Sequence, residues 1–279
     1  MTIDRLDALM QRFSVRARMF HSGALCGINE IPTSPDVGQL HLIRRGPVEV
    51  HHGARRMRRI AEPSLLFYPR VQPHRLVTDA DVGADMACAN VAFSSGATSP
   101  IAQALPSFTV MPLHELGHAQ ALLELLFEEA FAQRCGRQQI VDRLFEVVLI
   151  HLLRALMDRG TVDGGLLAGM AHPRLARALV AMHEAPAAAW TLESLAHRAG
   201  MSRSHFAACF RERVGITPGD YLARFRVGVA QDLLRRGHPM KSIAGAAGYG
   251  STAALSRAFR AICGASPRAW LAQLGDADR

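Results

Sequence analysis

The chain has 279 residues, of which 49% are hydrophobic and 20% are charged, so it can bury about two separate cores. This composition excludes a largely disordered chain, because disordered chains are poor in apolar residues. The net charge of +8 is divided unequally: residues 1–160 carry 17 Lys and Arg against 16 Asp and Glu, whereas residues 161–279 carry 15 against 8. The basic C-terminal part favours a polyanionic partner.

The N-terminal residues and the longest apolar run indicate a cytoplasmic protein without a membrane partner. The start, MTIDRLDALMQRF, has early acidic residues and lacks the apolar segment of a secretory signal. The longest apolar run, residues 144–153, contains Glu146 and His151 and is too short to cross a bilayer. The five cysteines have no CxxC spacing and are expected to be reduced in that compartment.

Residues 15–94 divide into short runs with strand character. Gly, Pro and Asp separate these runs, which are ALCGINEI, GQLHLIRRG, VEVHHG, PSLLFYP, HRLVT and DMACANVAF. Evenly spaced short strands with such turns predict a small β-barrel or sandwich.

The hydrophobic period changes after this region. Residues 113–133 and 138–159 are predicted to form two helices, with Gly136 between them. These helices carry more apolar surface than one stripe requires, so we expect them to pack on the strands and on a second subunit, as in a homodimer. The glycine-rich run at residues 161–170 predicts a linker, and residues 171–272 are predicted to be helical.

Two similar helical units follow the predicted linker. In the first, Thr191 is expected to cap a short helix and Gly200 to close it in the left-handed conformation. A second helix begins near Ser202, with Phe206 and Phe210 on its buried face. This is the arrangement of a helix-turn-helix, in which the first helix braces the second so that its outer face enters a major groove.

The second unit repeats this arrangement. Leu255, Phe259 and Ile262 are predicted to anchor its recognition helix, and Gly248 and Gly250 are predicted to surround the turn, with Gly250 matched with Gly200. Two copies in register indicate more than the packing of a helical bundle. We expect both recognition helices to enter successive major grooves, about 34 Å apart.

A longer helix is predicted between the two units, beginning at Thr217 and Pro218. With this helix included, residues 172–271 resemble the DNA-binding domain of AraC/XylS-type transcriptional regulators. The matching pieces are LESLAHRAGMSRSHFAACFRERVGITPGDYL and SIAGAAGYGSTAALSRAFRAICGASPRAW. The resemblance implies a regulator rather than an enzyme, with double-stranded DNA and RNA polymerase as partners, and a DNA-binding domain at residues 171–279.

The resemblance also assigns the positions that face DNA. They are Arg203, Ser204, Ala207, Ala208 and Arg211 in the first unit and Thr252, Ala253, Ser256, Arg257 and Arg260 in the second. Many members have Arg or Gln where this chain has Ala207 and Ala208. The first helix is therefore expected to contact bases through methyl groups, or to contribute phosphate contacts through Arg203 and Arg211. Arg257 is the candidate for a bidentate contact with guanine.

Residues 62–76, EPSLLFYPRVQPHRL, resemble the second conserved motif of cupin barrels, which contains an inward-facing histidine. The resemblance implies a cupin-like sensory and dimerisation domain at residues 1–160. The first cupin motif is missing, because His51 and His52 are adjacent and should face opposite sides of a strand. The usual metal cage is therefore absent, which disfavours the alternative of a cupin-type metalloenzyme fused to an accessory DNA-binding module.

Four residues of the cupin-like domain could form a site: His21, Cys26, His74 and Cys88. Two histidines and two cysteines suit tetrahedral zinc or another divalent metal. Alternatively, Cys26 and Cys88 within about 6 Å could be oxidised to a disulfide, as in family members that respond to oxidants. An organic effector in the barrel cavity, or structural roles for all four residues, are further alternatives that the spacing leaves open.

The expectations combine into an α+β, two-domain chain: an N-terminal cupin-like β-barrel with a helical dimerisation segment, and a C-terminal all-α double helix-turn-helix. A metal, an oxidant or a small molecule at the barrel is expected to change how the linker near Gly164 and Gly165 presents the DNA-binding domains. Cys135, Cys209 and Cys263 are predicted to be structural. A non-sensing architectural DNA protein would have little use for a barrel.

Overall fold

The computed structural model describes residues 4–34, 36–94, 96, 99–159 and 164–277. The chain divides into two compact units, which we call the sheet unit (Val15–Ala97 and Leu105–Arg159) and the helical unit (Met1–Ser14, Thr98–Ala104 and Gly160–Arg279). None of the helices in the described part of the chain is long and apolar enough to span a membrane.

The described residues of the sheet unit contain nine strands: β1 (Val15–Leu25), β2 (Ile28–Glu30), β3 (Val37–Arg45), β4 (Val48–His52), β5 (Arg55–Ile60), β6 (Ser64–Tyr68), β7 (Arg75–Val77), β8 (Ala84–Phe93) and β9 (Thr109–Pro112). They form two antiparallel sheets, ordered β1-β8-β3-β6-β9 and β2-β7-β4-β5. Apolar residues of both sheets, including Ile43, Val50, Leu76 and Met86, share one core. No described strand belongs to both sheets, so a closed barrel stays a prediction.

Two strands depart from the predicted pattern. The run ALCGINEI is divided between β1 and β2, because Gly27 has a φ of +72° at the turn. β5 was not predicted, since five of its six residues are exposed and its sequence, RRMRRI, shows no alternation of apolar and polar positions.

Two helices complete the sheet unit, α3 (Gln120–Phe131) and α4 (Arg137–Arg159). The first begins later than predicted, because Leu113–Glu115 form a separate 3-10 turn. α4 lies along the outer edge of β1, where the Asp142 carboxylate accepts a hydrogen bond from the Met19 N–H at 2.7 Å. This contact covers the unpaired edge of the five-stranded sheet, which would otherwise be open to pairing with another strand.

The helical unit contains the remaining helices: α1 (Asp7–Arg12), α2 (Pro100–Ala104), α5 (Leu166–Ala171), α6 (Pro173–Glu184), α7 (Leu192–Ala199), α8 (Arg203–Val214), α9 (Pro218–Arg235), α10 (Met240–Ala246), α11 (Thr252–Cys263) and α12 (Pro267–Ala277). The N-terminal segment joins this unit, although the sequence analysis assigned it to the cupin-like domain. Leu9 and Phe13 are fully buried, and the Phe13 ring packs edge-on against Phe225 of α9 with centroids 5.4 Å apart.

The predicted linker at residues 161–170 is partly helical. Residues 160–163 lie outside the described residues, whereas α5 begins at Leu166. Leu166, Leu167 and Met170 are buried, so this half of the segment has a packing face. A Cβ atom at Gly169 would lie 2.7 Å from Val214 Cγ2 of α8, which shows how closely α5 and α8 pack. This half of the predicted linker is therefore a helix that packs within the helical unit.

Candidate DNA-binding surface and histidine cluster

The first helix-turn-helix unit consists of α7 and α8, and its predicted caps are confirmed. The Thr191 hydroxyl accepts a hydrogen bond from the Ser194 N–H at 3.1 Å, and the Ser194 hydroxyl accepts one from the Thr191 N–H at 3.0 Å. Gly200 ends α7 in the left-handed conformation, with a φ of +64°. Ser202 then caps α8, which fixes the start of the recognition helix.

The two faces of α8 differ as predicted. Phe206 and Phe210 are fully buried. The opposite face carries the predicted DNA-facing residues, of which Ala207 is half-buried and the others are exposed, namely Arg203, Ser204, Ala208 and Arg211. The outer face therefore offers two guanidinium groups and small side chains to a partner.

The second unit, α10 and α11, has the same construction. The Ser251 hydroxyl caps α11 by accepting a hydrogen bond from the Ala254 N–H at 3.1 Å. Leu255 and Phe259 are fully buried, whereas Ile262 is 40% exposed, so the prediction that it anchors the helix is wrong. The buried face of α11 continues from Phe259 to the half-buried Cys263, and Ile262 lies outside it. The outer face carries the predicted residues, with Ser256 half-buried and Thr252, Ala253, Arg257 and Arg260 exposed.

The turn glycine of the second unit is Gly248 and not Gly250 as predicted. Gly248 has a φ of +79°, close to that of Gly200, whereas Gly250 has no positive φ. A Cβ atom at Gly248 would also come within 2.9 Å of the Pro186 carbonyl oxygen. The second turn has one residue more than the first. When the two recognition helices are aligned at Phe210 and Phe259, which match as predicted, the turn glycines Gly200 and Gly248 are therefore offset by one position.

The central helix α9 joins the two units. It begins at Pro218, and the Thr217 hydroxyl caps it by accepting from the Asp220 N–H at 3.1 Å, as predicted. Its 18 residues span about 27 Å. Near its C-terminal end, the Gln231 amide donates a hydrogen bond to Cys263 Sγ of α11 at 3.3 Å. Both recognition helices thus pack on one rigid element.

One positioning residue of this surface, Arg226, was not predicted from the sequence. Arg226 of α9 donates hydrogen bonds to the carbonyl oxygens of Pro186 at 2.7 Å and Ala188 at 2.9 Å. These carbonyls belong to the loop before α7, so Arg226 ties that loop to the central helix. Partial burial lowers the pKa of the Arg226 guanidinium, but both hydrogen bonds require its charged, donating form.

The structure brings three of the four residues predicted as a site in the sheet unit, His21, His74 and Cys88, into one neighbourhood and leaves Cys26 apart. Cys26 is exposed, and its Sγ lies beside Gly83. Cys88 is buried. It lies five residues after Gly83, and five residues of extended chain span about 17 Å. A disulfide requires Cα atoms within about 7 Å, so the predicted Cys26–Cys88 bond does not fit this structure.

A tetrahedral metal site made of all four residues lacks one ligand in this structure, because Cys26 is remote from the other three, and a metal site stays a prediction. Within the described ranges, no three His, Cys, Asp or Glu side chains are placed to hold one metal ion. Cys26 lies at the far end of β1 from the remaining candidates. Burial raises the pKa of the Cys88 thiol, so the thiol is protonated in the metal-free protein.

The three residues that come together surround His41, which no sequence pattern singled out. His21, Cys88 and His41 are lateral neighbours on β1, β8 and β3. From the facing side, His74 places its Nε2 atom 3.0 Å from His41 Nε2. The only available signal was a histidine within the short apolar run at residues 40–43 of β3. The partner of His41 is 33 residues away, which no local pattern reveals.

The hydrogen bonds define the tautomers of this histidine pair. His74 Nδ1 lies 2.8 Å from the Gln72 carbonyl oxygen and must donate to it. The other nitrogen of neutral His74 then accepts from the His41 Nε2–H. Burial, together with nearby His74 and His21, lowers the pKa of His41 well below its ordinary value, and burial lowers the pKa of His74. The pair is therefore neutral in the folded protein near pH 7.

Aromatic rings complete the cluster. The Tyr68 ring stacks on His74 with centroids 4.1 Å apart, and its hydroxyl lies 2.8 Å from His52 Nε2. Burial raises the pKa of Tyr68, so the hydroxyl stays protonated and donates to His52. The adjacent residue, His51, does not contact Tyr68 in this way. Its Nε2 atom lies 3.5 Å from a Glu49 carboxylate oxygen.

Of the cysteines predicted to be structural, Cys209 and Cys263 are half-buried, and Cys135 is exposed. The side chain of Cys263 has a defined role, since its sulfur accepts the Gln231 hydrogen bond. Cys209 Sγ lies 3.9 Å from His172 Nε2. Cys135 is exposed, so its side chain does not have the structural role that was predicted for it.

Comparison with known proteins agrees with this architecture. A family model described as "Cupin" matches residues 4–158, and one described as "Helix-turn-helix domain" matches residues 195–273. A protein of Streptomyces antibioticus named "Putative AraC-like transcription regulator" is 39% identical over 155 residues, which are 54% of this chain and 51% of that protein. A relative of the same name from Streptomyces lividans is 36% identical over 180 residues, 63% of this chain and 59% of that protein.

The chain thus spans between half and two thirds of the length of these two relatives. Among solved structures, the DNA-binding domain of AdpA in complex with a target DNA is 35% identical and covers 35% of this chain and 89% of that one, with a TM-score of 0.34. Because the cupin model covers more than half of its residues and the helix-turn-helix model covers both recognition helices, the chain belongs to the AraC/XylS-type transcriptional regulators with an N-terminal cupin-like domain.

Proposed function

We propose that this chain is a sequence-specific, DNA-binding transcriptional regulator that acts in the cytoplasm and inserts α8 and α11 into successive major grooves. The observation that carries the proposal is the pair of helix-turn-helix units fixed on α9, each with a buried aromatic face and an exposed face of basic and small residues. A recognition helix needs this division, because one face must anchor the helix while the other contacts base edges.

The two recognition helices contribute differently in this proposal. On α11, Arg257 is exposed and suited to a bidentate contact with guanine. On α8, Ala207 and Ala208 offer methyl groups to thymine, while Arg203 and Arg211 bind phosphates and fix the orientation of the helix. Base preference should therefore be sharper in the groove that α11 enters.

A selection from random duplexes tests this proposal. The full chain should enrich duplexes that contain two conserved blocks, centred about 10 base pairs apart, because the recognition helices enter successive turns of the duplex. The block bound by α11 should contain an invariant guanine that an Arg257→Ala variant no longer selects. Enrichment without any conserved block would instead indicate an architectural DNA protein, and the proposal would be rejected.

We further propose that the sheet unit senses a small-molecule effector and that RNA polymerase is the downstream partner. The separation of Cys26 from Cys88 removes the support for the disulfide alternative. Of the two alternatives that remain, a metal and an organic effector, we develop the organic effector. Effector binding would alter how the segment near Gly164 and Gly165 presents the DNA-binding part, with a coupling free energy of about 1–3 kcal/mol.

A homodimer through α4 is part of the same proposal. Ile140 and Val147 are 43% and 40% exposed, and they lie two turns apart on one face of the helix, with the half-buried Leu144 between them. Such a stripe of apolar side chains is costly in water, and a second copy of α4 would cover it.

A further inference from the structure

One side of the recognition helix α8 carries a basic stripe that was not among the predicted DNA contacts. His205, Cys209 and Arg213 are spaced four residues apart, so they line up along the helix. His205 and Arg213 are exposed, and Cys209 is half-buried. The stripe thus lies between the buried face of α8 and its outer face, and we call these three residues the α8 flank.

The N-terminal end of α6 adds positive charge beside this flank. Cys209 Sγ lies 3.9 Å from Nε2 of His172, the residue that caps α6. Partial burial lowers the pKa of His172, and the nearby Arg213, Arg174 and His205 lower it further. Arg174 of α6 and Arg213 of α8 therefore lie on two sides of the same histidine.

No described carboxylate neutralises this group of side chains. In the part of the chain that the structure describes, the side chains of Arg174, His205 and Arg213 have no hydrogen-bond or ion-pair partner. The one acidic residue of α8 is Glu212, which lies about 100° around the helix from Arg213. Two guanidinium groups are thus gathered without a counter-charge, which is the arrangement of a surface that binds an anion.

The second recognition helix shows that the fold does not require these charges. When α8 and α11 are aligned at Phe210 and Phe259, the corresponding flank of α11 consists of Ala254, Ala258 and Ile262. Both helices are capped by a serine, and both bury the aligned phenylalanine completely. Packing therefore does not explain the basic side chains of the α8 flank.

We propose that the α8 flank, together with Arg174, binds the phosphate backbone at one edge of the major groove that α8 enters. The inference rests on the proposed function and deepens it by naming further phosphate ligands. An α-helix with its side chains is about 10–12 Å wide and the major groove is about 12 Å wide, so a phosphate backbone runs along each side of an inserted helix. Arg174 and Arg213 offer forked donors to phosphate oxygens, and His205 offers a ring N–H.

The consequence is that α8 contacts both strands of the duplex. Arg211, which the resemblance assigns to phosphate, lies about 160° around the helix from Arg213, so the two side chains point to opposite edges of the groove. α8 would then fix the orientation of the protein, whereas α11, with its apolar flank, supplies base preference. An acidic protein surface is the other class of partner for these cations. Their position along a recognition helix favours DNA.

Three double variants of the full-length chain test the proposal by fluorescence anisotropy on the selected duplex over a range of salt concentrations. The test variant is Arg174→Gln with Arg213→Gln. The matched control is Arg224→Gln with Arg268→Gln, which removes the same charge from exposed positions of α9 and α12. The third variant, Arg174→Lys with Arg213→Lys, keeps both charges at the proposed site.

The slope of log affinity against log salt should become shallower by about 0.9 for each lost phosphate contact, or about 1.8 for the test variant, with up to roughly a 30-fold weaker affinity at physiological salt. The control and the lysine variant should keep the slope of the natural chain, and base preference should not change in any variant. Ethylation interference provides a second readout. Ethylating phosphates at one edge of the block bound by α8 should weaken binding of the natural chain but not of the test variant.

An unchanged slope and interference pattern in the test variant would overturn the inference and leave the cluster to an acidic protein surface. Equal losses of slope in the test variant and the control would overturn it too, because they would show a general effect of net charge. A lysine variant with the slope of the glutamine variant would contradict the role of charge. Failure of the natural chain to prefer the selected duplex would instead contradict the proposed function. Since all four arginines are exposed, circular dichroism should show an unchanged fold.

Discussion

Phe210 of the first recognition helix packs edge-on against Tyr221 of the central helix, with ring centroids 5.7 Å apart. The Tyr221 hydroxyl in turn lies 2.6 Å from His183 Nε2 on α6. Burial raises the pKa of Tyr221, so this hydroxyl stays protonated and donates to the imidazole. The orientation of α8 therefore depends on a buried tyrosine whose position is fixed by a hydrogen bond.

Removing that hydroxyl should destabilise the helical unit. In a Tyr221→Phe variant, His183 Nε2 loses its buried donor, and we expect the free energy of unfolding to fall by about 1–3 kcal/mol. Urea denaturation followed by circular dichroism measures this change. Tyr249→Phe is the matched control, because the Tyr249 hydroxyl is buried without a hydrogen-bond partner among the described residues. An equal loss in both variants would show that the hydrogen bond to His183 is not the cause.

Truncation of Arg257 should reduce base discrimination rather than stability. An Arg257→Ala variant loses the proposed bidentate contact, so the preference for guanine at one position should fall by about 1–3 kcal/mol while other positions are unaffected. Competition binding with single-base variants of the selected duplex measures this preference. Arg268→Ala, which removes an exposed arginine from α12, is the control. Undiminished guanine preference in the Arg257 variant would remove Arg257 from the base-contacting set.

A charge in the apolar stripe of α4 should separate the proposed dimer. Val147→Glu places a carboxylate where a second copy would cover the helix, and burying an unpaired charge is unfavourable by several kcal/mol. Sedimentation equilibrium should therefore show a monomer for this variant and a dimer for the natural chain. Val82→Glu is the control, since Val82 is 79% exposed in the loop before β8. A dimeric Val147→Glu variant would place the interface elsewhere.

The histidine cluster predicts a loss of stability in acid. The folded state lowers the pKa of His41, His74 and His52 below the ordinary value of 6.5, so the unfolded state binds more protons once the pH falls below about 6.5. The free energy of unfolding should be nearly constant above that pH. Below it, this free energy should decrease by about 1.4 kcal/mol per pH unit for each proton taken up.

Urea titrations between pH 5 and pH 8 measure that slope for the sheet unit. His41→Leu should lower stability at all pH values but make the dependence shallower by about one proton, because leucine does not titrate. His238→Gln, at an exposed position after α9, should keep the slope of the natural chain. A slope that is identical in all three proteins would show that His41 is not one of the titrating groups.

Local features of the helical unit could be predicted because neighbouring residues determine them. Thr191, Ser202 and Thr217 each cap a helix through a hydroxyl and an N–H three residues ahead, so the residue types alone suffice. The turn at Gly248 was misplaced because two glycines stand close together and only the backbone conformation distinguishes them.

Contacts between residues far apart in the chain could not be predicted from neighbouring residues. His41 and His74 meet across two sheets, and Phe13 packs on Phe225 more than 200 residues away, so neither pair leaves a local pattern. The predicted Cys26–Cys88 pair failed for a related reason: two cysteines can form a disulfide, but the strand register places these two at different levels of the sheet. Strand β5 was not predicted because an edge strand that is exposed on both faces shows no alternation of apolar and polar residues.

The measurement that tests the central claim most directly is the affinity of the full-length chain for its selected duplex and for a scrambled duplex of the same length, at 0.15 M salt. A regulator that reads two major grooves should bind the selected duplex at least about 1,000-fold more tightly than the scrambled one. Equal affinity for the two duplexes would contradict the account, because basic charge alone would then explain the binding.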